Sequence, residues 1–489
     1  MPPVNRLKTI SEECSISSRF LRRSKPVTAK YLKSLLSPLR KVSIMLHEIL
    51  FSSTEADENS TVLFPEQRTI LQEFEGLISS QLVLTDLLPV RCTLATYAAN
   101  HLCMEPLWLM LVAPPSSGKT ALLSSLYDLP KVHVVGDISK GALLSGTSAK
   151  ERSKDSTGGL LPEIGEFGFV VFKDFTSIIS KNREACSELL GALRETADGY
   201  YSRHFGIDGG THKKWSGKLG LIAAVTPAIQ KYRSVMSSMG DRFIFTRFYA
   251  DHYMKMKQAN KGLEVSGTGT EVKRQTQACA EKLFEGITPN MDFPIERMKF
   301  IHRHLESVAA FTANCRTPVE RNSHSKGVEF IHQTEGYARL TKQLFALFCG
   351  CVQIGSSFDE SWRVVQRAAV DTIPEQRASI IAAALRNRES NGEKFGVDDL
   401  IEHTRLSKSS ISRIVEDLFL VEVFDGSRGT GRAPSEYSIS AKSAEQIEAF
   451  SEKLACKSEK SDNRIPTYGH SEYRTYKEEQ NVGDENEAA

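Results

Sequence analysis

Hydrophobic and polar positions divide the chain into stretches of different period. Between residues 27 and 110 the apolar positions recur at three and four: Tyr31, Leu32, Leu35, Leu36 and Leu39, then Ile70, Leu71, Phe74, Leu77 and Ile78. That spacing predicts amphipathic helices. The polar run S-S-T-E-A-D-E-N-S-T, Ser52 to Thr61, predicts a loop between them. From Leu107 to Arg247 short apolar runs alternate with helical periods, which predicts a parallel sheet flanked by helices. The runs are Leu107 to Val112, Val132 to Val135, Phe169 to Phe172 and Leu219 to Val225. Residues 254 to 276 are rich in Lys, Gly and Thr and read as a linker, followed by helices over Ala278 to Val308 and Ala338 to Ile354.

A separate compact unit spans roughly 366 to 442. P-E-Q-R-A-S-I-I-A-A-A-L-R predicts one helix and V-D-D-L-I-E-H-T a second, with Val397, Leu400 and Ile401 apolar. S-S-I-S-R-I-V-E-D-L predicts a third, with Ile411, Ile414, Val415 and Leu418 on one side. Val421 and Val423 alternate as a strand, G-S-R-G-T-G-R turns, and Tyr437 and Ile439 return, so the unit is expected to be a winged helix-turn-helix. On that expectation Lys408, Ser409, Ser412 and Arg413 face the major groove of DNA, and Arg428 and Arg432 in the wing touch phosphates or the minor groove. Protein–protein contact is the alternative for such a unit, and Glu416 and Asp417 dilute its positive face. The whole reads as residues 1–85, a basic arm and helical region; 86–355, an α/β core with a helical lid; 366–442; and a charged tail over 443–489.

Composition adds little. The 489 residues carry 62 Lys and Arg against 60 Asp and Glu, so net charge names no partner. The ends differ: residues 1 to 41 hold ten bases and only Glu12 and Glu13 as acids, whereas residues 478 to 489 hold five acids and no base. A transit segment is the lesser reading of the first stretch. No apolar run approaches the roughly 20 residues of a membrane span, and the nine cysteines lack CxxC pairing, so a cytoplasmic protein with no membrane partner and no zinc site is expected.

The chemistry is concentrated after the first apolar run. A-P-P-S-S-G-K-T, comprising Ala113, Pro114, Pro115, Ser116, Ser117, Gly118, Lys119 and Thr120, leads into a helix that starts near Ala121. It matches the phosphate loop G-x-x-x-x-G-K-S/T except that Ala113 replaces the first glycine, which is tolerable if φ is negative there. Backbone N–H groups in such a turn converge on phosphate oxygens, Lys119 adds a charge, and Thr120 is placed to reach Mg²⁺. ATP with Mg²⁺ is the expected ligand. Asp174, after the run G-F-V-V-F-K-D-F, is the second candidate for Mg²⁺; capping the next helix is its alternative role. Phe175 stands where many such ATPases carry a glutamate, and Glu195 is a possible substitute.

The order of motifs resembles the AAA+ core of MCM-type replicative helicases, above all the divergent MCM-like proteins of phages and mobile elements. The motifs are the A-P-P-S-S-G-K-T loop, the strand ending at Asp174, L-L-G-A-L-R-E-T-A-D-G-Y-Y-S-R-H-F-G, L-G-L-I-A-A-V-T-P and G-D-R-F, over roughly residues 90 to 355. The resemblance implies that Thr226 takes the sensor-1 position, that Arg242 is a finger reaching a neighbouring subunit's γ-phosphate, and that Arg339 is the sensor-2 arginine of the lid. It implies a homo-oligomer, a ring or filament, acting on DNA in replication. It also makes Gly199 to Gly206 a channel hairpin in which Tyr200, Tyr201 and Arg203 meet single-stranded DNA. The chain departs from the family at Phe175, at Thr226 for asparagine, and in having no zinc-binding cysteines. An ATP-switched DNA-binding regulator is the competing expectation; a P-loop kinase or small-molecule NTPase is weaker.

Overall fold

A computed structural model describes residues 62–451 apart from positions 85, 146–157, 181–182, 206–210, 233–235, 237–241, 250–251, 265–268, 290, 292–294, 323, 405 and 428–435. In chain order the first elements are α1 (Pro65–Gln81), α2 (Leu88–His101), β1 (Trp108–Val112), α3 (Lys119–Ser124), β2 (Val132–Val135), α4 (Lys140–Leu143), α5 (Leu160–Ile164) and β3 (Phe167–Phe172). Next come α6 (Phe175–Ile179), α7 (Arg183–Ala197), β4 (Tyr200–Phe205), β5 (Thr211–Ser216), β6 (Lys218–Val225), a 3-10 turn (Pro227–Tyr232) and β7 (Phe243–Arg247). The remainder comprises α8 (His252–Glu264), α9 (Gly269–Glu285), α10 (Ile295–Arg316), β8 (Val319–Arg321), β9 (Val328–Ile331), α11 (Ala338–Gln353), α12 (Phe358–Thr372) and α13 (Glu375–Asn391). A 3-10 turn (Asp398–Leu400), α14 (Lys408–Leu420), β10 (Phe424–Ser427), β11 (Glu436–Ile439) and α15 (Ala441–Ser451) complete it.

This is a mixed α/β architecture built on a five-stranded sheet in the order β2-β3-β6-β1-β7, in which every neighbouring pair is parallel. A parallel sheet covered on both faces needs strands that are apolar at every position. β1, W-L-M-L-V, is buried throughout. Its period-two alternation still sorts the side chains: Leu109 and Leu111 join Phe169, Val171, Ile222 and Ile244 in one core beneath α1, α2 and α11. Trp108, Met110 and Val112 join Val170, Phe172, Leu221 and Phe245 in a second core beneath α6 and α7. Asn100 fixes the start of β1, its Nδ2 donating to Leu107 O at 2.9 Å and its Oδ1 accepting from Leu107 N at 3.0 Å. Gly350 of α11 lies against the Ala95 carbonyl, where a Cβ would overlap it, so α2 and α11 pack backbone to backbone.

The open edge of β7 is capped rather than paired. Thr372 Oγ1 accepts from Phe245 N at 3.0 Å and Asp371 Oδ2 from Arg247 N at 2.8 Å, which ties α12 to the sheet. A polar cluster joins α1, α2 and α12: Glu360 accepts from Arg68 and from Arg91, the latter pair at 2.7 Å, and closes a capping box with Ser357. Burial alone raises a carboxyl's pKa, but Arg68, then Arg91, outweigh it and hold Glu360 at about 2 rather than 4.5. A depressed carboxylate stabilises above its ordinary pKa and loses that contribution as pH falls through the folded value. Glu360→Gln is therefore expected to cost on the order of 2–3 kcal/mol at neutral pH, a difference that shrinks as urea unfolding is repeated from pH 4.5 towards 2.

Several local expectations differ from the structure. The polar stretch 254–276 forms most of α8 and the first half of α9, because a helix that buries one residue per turn, such as Thr276, Cys279, Ala280 and Leu283, reads as polar elsewhere. V-D-D-L-I-E-H-T makes only the 3-10 turn Asp398–Leu400, as the segment is too short to offset helix nucleation. Val421 is the C-cap of α14 and the strand starts at Phe424. The chain also packs as α15 beyond Ser440, where its charge predicts a tail: Ser443, Gln446 and Phe450 are buried at helical spacing. Residues 27–39 of the first predicted helix lie outside the described residues. Among the described residues no helix is long and apolar enough to cross a membrane.

Candidate functional site

The loop after β1 is pinned at both ends. Ala113 is buried and donates its N–H to Val225 O at 3.0 Å, so it continues the sheet with an ordinary negative φ, the condition under which alanine serves there. Ser116 and Gly118 take positive φ, 59° and 90°, reversing the chain. Gly118 also lies under Leu82, with which any Cβ would collide. Ser117 Oγ donates to Pro114 O at 2.7 Å, and α3 begins at Lys119, with Leu122 N bonded to Gly118 O at 3.1 Å. Thr120 and Ala121 occupy its first turn. Lys119 Nζ folds back to donate to Ala113 O at 2.6 Å and Pro114 O at 2.8 Å. Burial lowers its pKa and the nearby Asp174 carboxylate opposes that shift.

Strand order brings three expected residues to one edge. β6 lies between β1 and β3, so the carboxyl ends of the three strands present the loop, Thr226 and Asp174 side by side. In open α/β sheets, ligands bind outside the carboxyl ends of the strands. Asp174 caps α6: its Oδ1 accepts from Thr176 N at 3.1 Å and Ser177 N at 3.3 Å. Both bonds land on one oxygen. Thr226 N donates to Thr176 Oγ1 at 2.7 Å, joining the end of β6 to the first turn of α6. Phe175 is fully buried, 5.1 Å between ring centroids from Phe172.

Arg242 and Arg339 are at the opposite edge. Phe243 pairs with Trp108 at the start of β1, and β1 is five residues, about 16 Å, long. Both arginines line a cavity of about 1020 Å³ with Lys218, Glu335 and Lys342. Arg242 pairs with Asp198 at 2.8 Å, and its carbonyl accepts from Gln343 Nε2 at 2.6 Å. Burial, then the positive charge of Arg339, lowers its pKa. Arg339 is 3.9 Å from Glu335. Glu195 is exposed one turn before Asp198 on α7, so the structure groups it with this edge and not with Lys119 and Asp174.

β4 and β5 form an antiparallel hairpin with Tyr201 opposite Trp215 and Arg203 opposite Lys213. That face turns inward: Tyr201 and Trp215 are in the core, Lys213 Nζ donates to Ser145 O at 2.5 Å, and Arg203 stacks on Phe205. The outward face carries Tyr200, 47% exposed, Lys214, and the stacked rings of His204 and His212, 3.9 Å apart. Bases stacking on this hairpin would meet Tyr200 and the imidazoles rather than Tyr201.

On α14 the residues Lys408, Ser409, Ser412 and Arg413 are exposed together, opposite buried Ile411, Ile414, Val415 and Leu418. Glu416 and Asp417 turn away to Arg321, at 3.0 and 2.6 Å, so they do not dilute that face. Lys408 is 2.5 Å from Asp398. β10 and β11 pair as the expected two strands, but Arg428 and Arg432 lie outside the described residues.

The sequence does not single out a cavity of about 440 Å³ between the loop residues Pro114–Ser117, residues Val83 and Leu84, Phe248 and Tyr249, and α8. It joins the loop to segments far apart in the chain that carry no motif of their own.

No protein-family model matches the chain, and no curated protein matches it. Solved structures that resemble it include "The A form apo structure of NrS-1 C terminal region-CTR", at 11% identity, TM-score 0.28, covering 80% of this chain and 78% of that one. Another is the same region delimited as 305–718, at 10% identity, TM-score 0.19, covering 83% and 79%. At those scores the likeness decides neither fold nor function.

Proposed function

We propose that the protein binds ATP with Mg²⁺ at the 113–120 loop, hydrolyses it between adjoining copies of the chain, and acts on DNA as an MCM-like AAA+ ATPase in replication. The observation that carries this reading is the division of the expected residues. Lys119, Thr120, Asp174 and Thr226 gather at the carboxyl edge of the sheet, while Arg242 and Arg339 gather around a cavity at the amino edge. A single chain does not close such a site, but head-to-tail copies do, setting the arginines of one against the phosphates held by the next. Magnesium would screen the phosphate charge. Lys119 exchanges its two loop carbonyls for phosphate oxygens, and Thr226 orients water. Lys408, Ser409, Ser412 and Arg413 would form the DNA-facing side of a winged helix.

Phe175 favours a second reading, in which ATP is a slow switch that sets assembly on DNA. No carboxylate adjoins Asp174 in sequence, and Glu195 is at the far edge. ATP turnover measured with and without single-stranded DNA, beside unwinding of a forked duplex, separates the two. Stimulated turnover with unwinding supports the motor, and stimulated turnover alone supports the switch. The absence of turnover with DNA removes the motor.

Replacing Lys408 and Arg413 together with Ala is expected to weaken binding of a mixed-sequence duplex on the order of 100-fold at fixed salt, read by fluorescence anisotropy, and to leave ATP affinity unchanged.

A further inference from the structure

Two elements expose apolar side chains at opposite edges of the sheet. α8 follows β7 at the carboxyl edge, where Met254 and Gln258 line the cavity beside Pro114–Ser117. Met254, Gln258 and Lys261 form its inward side at helical spacing. The opposite side presents Tyr253, Met256 and Leu263, 58%, 56% and 76% exposed, and Lys257 lies over the Tyr253 ring at 4.5 Å. The β8–β9 hairpin is rooted at the amino edge: Arg316, just before it, donates to Phe243 O at 3.5 Å, and Glu335, just after it, lines the arginine cavity. Val319 packs against the core, yet every residue of β9 is exposed, Phe330 by 55% and Ile331 by 40%. Glu320, which also meets His332 at 2.9 Å, is directly across from Phe330, and Glu329 precedes it, while Lys326 is confined to the turn.

Exposed apolar clusters rimmed by charge mark protein contacts, and Met and aromatic side chains are enriched at the centres of such contacts. The α8 face is flanked by Lys255 and Lys257 and the β9 face by Glu320 and Glu329, so each complements the other and repels a copy of itself. A contact between two different faces is heterologous and joins copies head to tail. We infer that the β8–β9 hairpin of one copy seats on the exposed side of α8 in the next, a second copy of this chain being the occupant of both faces. The inference rests on the head-to-tail reading of the nucleotide site, and it adds the surface that holds the arginine edge of one copy at the loop of its neighbour. Since α8 also lines the cavity beside the loop, the contact adjoins that loop.

The test is cross-linking of the full chain in the presence of ATP and Mg²⁺. Met256→Cys and Phe330→Cys are each treated with a short bis-maleimide, alone and mixed, with the parent as the control for its own thiols. A covalent dimer well above the parent's level is expected only in the mixture, because only there do introduced thiols face each other across a junction. Phe330→Ala is expected to raise the concentration needed for assembly, read by light scattering, at least about tenfold, and to melt at the parent's temperature when dilute. A mixture without the dimer although the chain assembles, a dimer formed as strongly by either variant alone, or assembly of Phe330→Ala at the parent's concentration would overturn the inference. Turnover regained on mixing Lys119→Ala with Arg242→Ala leaves the bipartite reading standing in those cases. A parent chain that stays monomeric with ATP removes both.

Discussion

Lys119→Ala is expected to lower ATP affinity roughly 100-fold, the loss of a charge-assisted contact worth about 2–3 kcal/mol at a partly enclosed phosphate. Among the described residues Lys119 Nζ bonds loop carbonyls, Ala113 O and Pro114 O, and burial depresses its pKa. Exchange of those carbonyls for phosphate oxygens relieves the ammonium of a poor environment and makes it a strong ligand. Titration calorimetry with ATP and Mg²⁺ reads the effect, and thermal melting without nucleotide checks that the loop still folds. Unchanged affinity would remove the phosphate role of the loop.

The second large effect is on stability. Asp371→Ala is expected to cost about 3–5 kcal/mol, because it takes the nearer carboxylate from a buried cation and leaves only Asp86 at 3.5 Å. Asp371 is fully buried and receives Arg247 N at 2.8 Å, Tyr249 Oη at 2.9 Å and Arg367 Nε at 3.0 Å. Burial disfavours the Arg367 cation, yet Asp371, then Asp86, hold its pKa above the ordinary arginine value. Asp371→Asn keeps an acceptor and should cost less. Urea unfolding followed by tryptophan fluorescence measures both, and a loss below about 1 kcal/mol for Ala would show that the pair is not needed. Since Tyr249 also lines the cavity beside the loop, the same residue ties that wall to α12.

Physical reasons separate what the sequence displayed from what it hid. β1, β3 and β6 were legible because burial on both faces leaves nearly continuous apolar runs, as in L-G-L-I-A-A-V, and β2, half-buried at the edge of the sheet, from its three valines. β7, F-I-F-T-R, is as buried as β1, but its short run ends in Thr246 and Arg247, and the N–H and Nε of Arg247 donate to Asp371 of α12. That partnership is tertiary and leaves no local mark. The loop was legible because Gly118 and Lys119 are dictated by local geometry: a positive φ and a point charge. Direction was harder to read. Tyr201 and Arg203 resemble a nucleic-acid contact in one dimension, but alternation along β4 with Trp215 opposite sends them inward and leaves Tyr200 and His204 outside. Glu195 is separated from Asp174 by the length of α7, which spacing alone does not convey.

The bipartite site is the centre of this account, and one mixing experiment addresses it directly. Lys119→Ala and Arg242→Ala are each expected to be inactive in ATP hydrolysis, the first for want of bound nucleotide and the second for want of the neighbour's cation. Mixed in equal amounts, they should regain a measurable fraction of turnover, because some junctions set an intact Lys119 against an intact Arg242. A mixture as inactive as its components, made from variants shown by light scattering to assemble together, would contradict the account.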